Sequence, residues 1–196
     1  LEYGVILSDK DSRITRFLEK PAWEQVISSV VNTGIYVLDK DIIDSIPENT
    51  KYDFSKQLFP KLMDSGTSLY AFRQPKGYWC DIGGLDDYFQ CVCDCASGKV
   101  NGISFDRYTE NELYESGVEF TSPVYISRKA HLGKNVKVGA NSFIGDGCKI
   151  GNNCVAELSV IDENCKIGDG TGIYSSLLSE NVTVGENCVI SEGCVL

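Results

Sequence analysis

No apolar run in this 196-residue chain approaches the roughly 20 residues that a membrane-spanning helix needs, and nothing resembling a signal peptide opens it. Membrane is therefore not an expected partner. Basic clusters are missing as well: 18 Lys and Arg stand against 28 Asp and Glu, a net charge of −10. Such a surface repels nucleic-acid backbones and anionic bilayers, which excludes nucleic acid as a general partner. Any phosphate-bearing ligand must then be met by local lysines or a bound cation. Histidine occurs once, at His131, between Ala130 and Leu132.

Cysteine, by contrast, is abundant, yet the nine thiols are arranged for neither disulfides nor a metal. Cys91, Cys93 and Cys95 fall inside 86–97, which reads as a helix, where only Cys91 and Cys95 share a face. Cys148, Cys154, Cys165, Cys188 and Cys194 lie on a repeating lattice of small residues, where a thiol acts as a small hydrophobe, so all five are expected to be shielded. Unpaired thiols in this number fit a reducing compartment and a cytoplasmic location.

That lattice is the strongest pattern in the chain. Ile126, Leu132, Val138, Ile144 and Ile150 recur every six residues, and the last four are each followed by Gly. A second series, Val124, Ala130, Val136, Ser142, Cys148 and Cys154, keeps the same period with smaller side chains. The beat slips by one residue at Ser159 and again at Ser176, while the large series resumes through Ile161, Ile167, Ile173, Leu178, Val184, Ile190 and Leu196. Two inward positions per six residues suit neither a helix nor an alternating strand. They fit a triangular solenoid with one hexapeptide per face, in which each coil buries its inward residues by stacking on its neighbours. His131 then points outward. Ending on Leu196, a core position without a polar cap, leads us to expect that the natural protein continues beyond it.

The first hundred residues read as mixed strand and helix. Segments 3–7 and 14–18 flank the polar tract Asp9-Lys10-Asp11-Ser12 as a hairpin. Strands are expected over 30–38, 68–72 and 78–82, and helices over 39–45 and over 54–65, the latter broken by Pro60. A strand at 78–82 would put Trp79 and Asp81 on one face, ahead of Gly83-Gly84. The boundaries expected are 1–100, a polar linker over 101–122, and the solenoid over 123–196.

Four motifs occur in order: Phe17-Leu18-Glu19-Lys20-Pro21, Val31-Asn32-Thr33-Gly34-Ile35-Tyr36-Val37-Leu38, Tyr52-Asp53-Phe54-Ser55-Lys56 with Leu58-Phe59-Pro60, and Gly77-Tyr78-Trp79-Cys80-Asp81-Ile82-Gly83. Followed by the repeat, they resemble the sugar-1-phosphate nucleotidyltransferases, most of all the bacterial mannose-1-phosphate guanylyltransferases. The resemblance implies an α/β + β fold: the second half of a Rossmann-like nucleotidyltransferase domain, then a hexapeptide-repeat left-handed parallel β-helix. It implies transfer of a nucleotidyl group from an NTP to a hexose 1-phosphate, with GTP and mannose 1-phosphate the favoured pair, and self-association through the β-helix. By the same resemblance Glu19 binds sugar hydroxyls, Lys20 binds the sugar phosphate and acts in catalysis, and Asn32, Thr33 and Gly34 shape the sugar pocket. Asp81 is catalytic and one of two carboxylates for Mg²⁺, a cation that takes phosphate oxygens alongside one or two carboxylates.

The family's glycine-rich G-G-x-G-T-R-L loop and its first metal-binding Asp are not found in this sequence. The chain is therefore expected to be a C-terminal piece of a longer enzyme, inactive alone. Two other readings stay open. One is a non-catalytic relative serving regulation or assembly. The other, a hexapeptide acyltransferase with His131 as base, is disfavoured because the repeat carries no long inserted loop.

Overall fold

In the computed structural model, residues 3–26, 28–74 and 76–196 are described. The chain divides into two compact units, Leu1–Lys76 and Gly77–Leu196.

The first unit is organised on an antiparallel hairpin of β1 (Val5–Ser8) and β2 (Ile14–Leu18). The Asp9 carboxylate closes the turn by accepting from the amides of Asp11 and Arg13, both at 2.9 Å, and Ser12 turns left-handed at φ 65°. Segment 30–32 lies along β1, with the Ile6 amide on the Val30 carbonyl at 3.0 Å and the Asn32 amide on that of Gly4 at 2.8 Å. Residues 69–71 lie along β2 in the same manner. These contacts remain isolated bridges. The regular strands expected over 30–38 and 68–72 do not form, because each segment finds partner backbone over only two or three residues. Ile35, Val37, Tyr70 and Phe72, which carried the β-like pattern, are exposed.

Helix α1 (Lys40–Asp44) matches its expected place. Over 54–65 the Asp53 carboxylate caps a π-helical turn, Phe54–Leu58, by accepting from the Lys56 amide at 3.0 Å. This turn runs straight into α2 (Phe59–Asp64). Pro60 does not break the helix as expected. It sits in the first turn of α2, where its missing N–H is no loss. Leu58, Phe59 and Leu62 form the buried core, and Phe17 and Tyr36 pack on the Phe59 ring at 5.3 and 4.9 Å.

The second unit opens with an irregular strap over 77–84, then α3 (Leu85–Ala96), α4 (Glu110–Glu115) and the solenoid. The strand expected at 78–82 is not formed, so the shared face proposed for Trp79 and Asp81 has no structural basis. Within this unit α3 turns Cys93 inward, its thiol on the Asn141 carbonyl of a coil corner at 3.6 Å. Thr109 and Glu112 form a reciprocal cap that starts α4 inside the segment read as linker.

Three parallel sheets make the solenoid faces. One stacks Val124–Ile126, Ser142–Ile144, Val160–Ile161 and Leu177–Leu178; the second His131–Leu132, Lys149–Ile150, Lys166–Ile167 and Thr183–Val184; the third Glu119–Phe120, Lys137–Val138, Val155–Glu157, Gly172–Tyr174 and Val189–Ile190. The two slips in the beat are the corners at Leu158 and Ser175, both at positive φ, after which stacked partners are 17 residues apart instead of 18 (Val160 on Phe143, against Val124 on Ser142). Unslipped corners turn on Asn135, Asn141, Asn153, Asn164, Asn181 and Asn187, all left-handed, the conformation Asn tolerates best after Gly. Where glycine follows a large residue, as after Leu132, Ile150 and Ile167, it has a steric reason. Gly133, Gly151, Gly168 and Gly185 stack in a column, and a Cβ on Gly133 or Gly168 would stand 2.6 Å from the backbone of the coil above.

The small lattice is more than apolar filling. Cys148 Sγ reaches the Asp162 carbonyl at 2.8 Å, Cys154 that of Gly168 at 3.1 Å, Cys165 that of Ser179 at 3.0 Å, and Thr171 Oγ1 that of Gly185 at 2.8 Å. Each donor is small enough for the core and satisfies a corner carbonyl of the next coil. Cys188 and Cys194, expected to be shielded like the rest, are only half-buried, since the last coil is covered from one side. Burial raises the thiols of Cys154 and Cys165 and holds Cys148 at about 11. Because the thiolate is the nucleophile, native iodoacetamide treatment is expected to spare Cys148, Cys154 and Cys165 and to label Cys188 and Cys194. Peptide mass spectrometry before and after denaturation reads the difference, and fast native labelling of Cys165 would overturn the inward assignment.

Candidate functional site

Hairpin and bridge together bring Glu19 and Asn32 to one place in the first unit. Glu19 follows directly on β2, and Asn32 is held by its amide to the Gly4 carbonyl just ahead of β1. Gly4 is the hinge of the arrangement. A Cβ there would lie 2.8 Å from Glu19 Oε2, 3.3 Å from the Phe17 ring and 3.4 Å from Asn32 Cβ. A methyl group there would push the flexible Glu19 side chain away from the strand end, where glycine lets its carboxylate lie beside Asn32. Asn32 is oriented further: its Nδ2 donates to Tyr36 Oη at 2.7 Å, and its Oδ1 accepts from the Gly34 amide at 3.3 Å, with Gly34 turning left-handed at φ 77°. Thr33 is exposed beside them. Lys20 takes φ 42°, a left-handed backbone costing a non-glycine residue about 1–2 kcal/mol. Strain of this kind concentrates where a side chain must be aimed. Gly4 and Tyr36 escaped the sequence reading, although a glycine at a strand end is a signal for close approach.

Asp81 lies in the second unit, exposed at the middle of the strap. Its Oδ2 and that of Asp87 stand 3.8 and 3.7 Å from where a Cβ on Gly83 would be. Gly84 is the N-cap of α3, and Asp86 and Asp87 occupy the first turn, where the helix dipole favours negative charge. Asp87 was missed as a companion of Asp81. Its place in a first turn has an ordinary helix-forming explanation that masked it. Among the described residues no group of three or more His, Cys, Asp or Glu side chains converges as a metal cage. Asp81 and Asp87 nevertheless offer hard carboxylate oxygens of the kind Mg²⁺ takes, the rest of its shell being water and substrate phosphate.

The strap is tied down by Tyr78. Its hydroxyl donates to Asp94 Oδ2 at 3.0 Å, and burial, then Asp94, then the thiols of Cys91 and Cys80 push the phenol far above its ordinary range. Asp94 is itself buried and held below the usual carboxylate range, first by Lys99.

A model of the nucleotidyl transferase family matches residues 1–98, and one of the EIF2B subunit epsilon left-handed β-helix domain matches residues 107–196. A UTP–glucose-1-phosphate uridylyltransferase of Synechocystis is 35% identical over 133 residues, covering 63% of this chain and 34% of that protein. A glucose-1-phosphate adenylyltransferase of Clostridium novyi is 33% identical over 115 residues, 56% of this chain and 28% of its own length. A mannose-1-phosphate guanyltransferase of Pichia angusta is 35% identical over 118 residues, 59% and 31%. The chain spans about a third of the length of the curated relatives it matches. With a family model over half its length, the four motifs in order and a left-handed β-helix after them, this chain belongs to the nucleotidyl transferase family.

Proposed function

We propose that this chain supplies the sugar-phosphate side of an NDP-sugar pyrophosphorylase. The observation carrying the reading is the seating of the Glu19 carboxylate over Gly4 beside Asn32. A carboxylate and an amide held side by side suit the vicinal hydroxyls of a hexose. Lys20 follows immediately and offsets the charge of the 1-phosphate, which the chain's net −10 otherwise opposes. Thr33 and Gly34 shape the adjoining wall. An oxygen of the sugar phosphate attacks the α-phosphorus of the NTP, the bond from that phosphorus to the bridging oxygen breaks, and pyrophosphate leaves with the electron pair. No protein nucleophile is needed; the side chains orient the reactants and balance charge.

Asp81, with Asp87 beside it, is the carboxylate we assign to Mg²⁺. When bound, that ion supplies neutralisation of phosphate charge as the phosphoryl bond changes hands. Motif likeness favours GTP with mannose 1-phosphate. Glucose 1-phosphate with UTP or ATP is the second reading, favoured by the relatives that act on glucose 1-phosphate. We also propose a cytoplasmic protein, in keeping with nine free thiols, that self-associates through the β-helix, where Val189 and Val195 are exposed. Pyrophosphate release by the full-length enzyme, measured across a panel of NTP and hexose 1-phosphate pairs, tests the reading. Turnover with no pair would overturn it in favour of a non-catalytic assembly role.

Two substitutions separate binding from chemistry. Lys20→Ala should raise KM for the hexose 1-phosphate at least about tenfold while changing kcat less, because a charge-assisted contact is lost. Gly4→Ala should raise the same KM by pushing the Glu19 carboxylate aside, with little change in KM for the NTP. Steady-state kinetics with each substrate varied in turn reads both.

A further inference from the structure

Asp94 occupies a position that neither burial nor helix electrostatics recommends. It lies in the last turn of α3, where the helix dipole disfavours a negative charge, and it is 9% exposed, where an unpaired carboxylate is costly. Replacing a paired buried charge with a well-packed apolar residue is often neutral or stabilising, so stability alone does not account for an acid there. What the carboxylate provides is a set of acceptors. Oδ1 takes Gln90 Nε2 at 2.9 Å and Lys99 Nζ at 2.5 Å, leaving Oδ2 for the Tyr78 hydroxyl at 3.0 Å. Its main-chain carbonyl adds the Lys99 amide at 3.0 Å and Ser97 Oγ at 3.1 Å, which fixes Lys99 beside the acid.

The strap therefore has two attachments to one helix. Gly84 begins α3, while Tyr78 reaches the carboxylate near its other end, so 78–84 runs back along the helix. Asp81 sits between the attachments, exposed and without regular backbone pairing. Its own side chain accepts no hydrogen bond from the described residues, so its position is inherited from the strap. We propose that Tyr78 and Asp94, with Lys99 charging the acceptor, form a half-buried tether that positions Asp81 for its cation. Tyr78 and Asp94 are thus positioning residues: they act through the strap and touch neither substrate nor ion. The proposal rests on the assignment of Asp81 to the cation.

Tyr78→Phe tests it with the least disturbance, since the ring stays and one hydroxyl goes; Asp94→Asn keeps the shape and removes the charge. Backbone ¹⁵N relaxation on the 196-residue chain should show the order parameters of residues 79–83 falling by at least about 0.2 in Tyr78→Phe, with those at 148–167 unchanged, as expected when the strap loses one of its two attachments. In the full-length enzyme the same variant should raise the Mg²⁺ concentration for half-maximal rate at least about fivefold and lower kcat, with KM for the hexose 1-phosphate unchanged. Combining Tyr78→Phe with Asp94→Asn should add little to either single change. Unchanged order parameters and Mg²⁺ requirement in Tyr78→Phe overturn the tether while leaving the Asp81 reading intact. Lower order parameters with an unchanged Mg²⁺ requirement also overturn it, because the strap would then be anchored without positioning anything. If Asp81→Asn itself leaves the Mg²⁺ requirement unchanged, the assignment of Asp81 fails and the tether's purpose fails with it.

Discussion

Asp81→Asn in the full-length enzyme is expected to lower kcat by at least roughly 100-fold, the scale of losing one major electrostatic stabiliser of the transition state. Folding should be nearly untouched, because the carboxylate is exposed and the strap is held by Tyr78. The asparagine keeps the shape and one oxygen, so what is lost is charge at the place assigned to Mg²⁺. Asp87→Asn should be milder, since the first-turn position of Asp87 also serves α3 and the cation shell retains Asp81. Quenched-flow measurement of pyrophosphate release, with the melting temperature followed in parallel, separates chemistry from stability. A near-normal kcat with an unchanged Mg²⁺ requirement would make Asp81 a structural carboxylate and remove the site from this strap.

How far the sequence itself revealed these sites depends on what each pattern reports. The solenoid was legible because its period is set by nearest-neighbour stacking: Ile144, Cys148 and Ile161 are inward for reasons present within one coil and repeated in the next. Even the slips at Ser159 and Ser176 could be placed, since removing one corner residue shifts every later position equally. The hydrogen bonds of Cys165 and Thr171 to the next coil were not legible, because hydrophobicity alone treats a thiol or a small hydroxyl as filling. In the first unit, 30–38 and 68–72 carry β-branched and aromatic residues that report strand propensity, but a strand also needs partner backbone, and residue pattern says nothing of supply. Glu19, Asn32 and Asp81 are proposed as site residues from motif likeness, whereas the parts proposed for Gly4 and Asp94 work through the positions of other side chains. Such positioning roles leave no period and no charge pattern behind. They become visible only when Glu19 is seen lying against Gly4 and the phenol of Tyr78 against Asp94.

The second large effect is expected in the core of the β-helix. Cys165 is fully buried between coils, and its thiol points at the Ser179 carbonyl at 3.0 Å. Cys165→Ala removes one sulfur and a weak donor. The coils above and below are held by their own ladders, so the cost should be about 1 kcal/mol. Cys165→Asp is a different case. Ionised, it buries an unpaired charge and aims a carboxylate oxygen at a carbonyl oxygen; protonated, it must bind a proton at neutral pH against its ordinary range. Either route should cost at least about 4 kcal/mol, near the upper end of single-substitution effects. The sign of the pH dependence follows. The aspartate's folded-state pKa is raised above its unfolded value, so the protonated folded form is penalised least at low pH, and the variant's deficit should grow as pH rises through and above the unfolded carboxylate range. Denaturant titrations of the wild-type chain, Cys165→Ala and Cys165→Asp at pH 5 and pH 8 measure this directly. Because coils stack in series, losing one should separate those on either side of Cys165, and exchange protection at 148–150 and 183–184 should fall together. A Cys165→Asp chain as stable as Cys165→Ala at pH 8 would mean that position 165 faces water, against the inward lattice on which the solenoid is built.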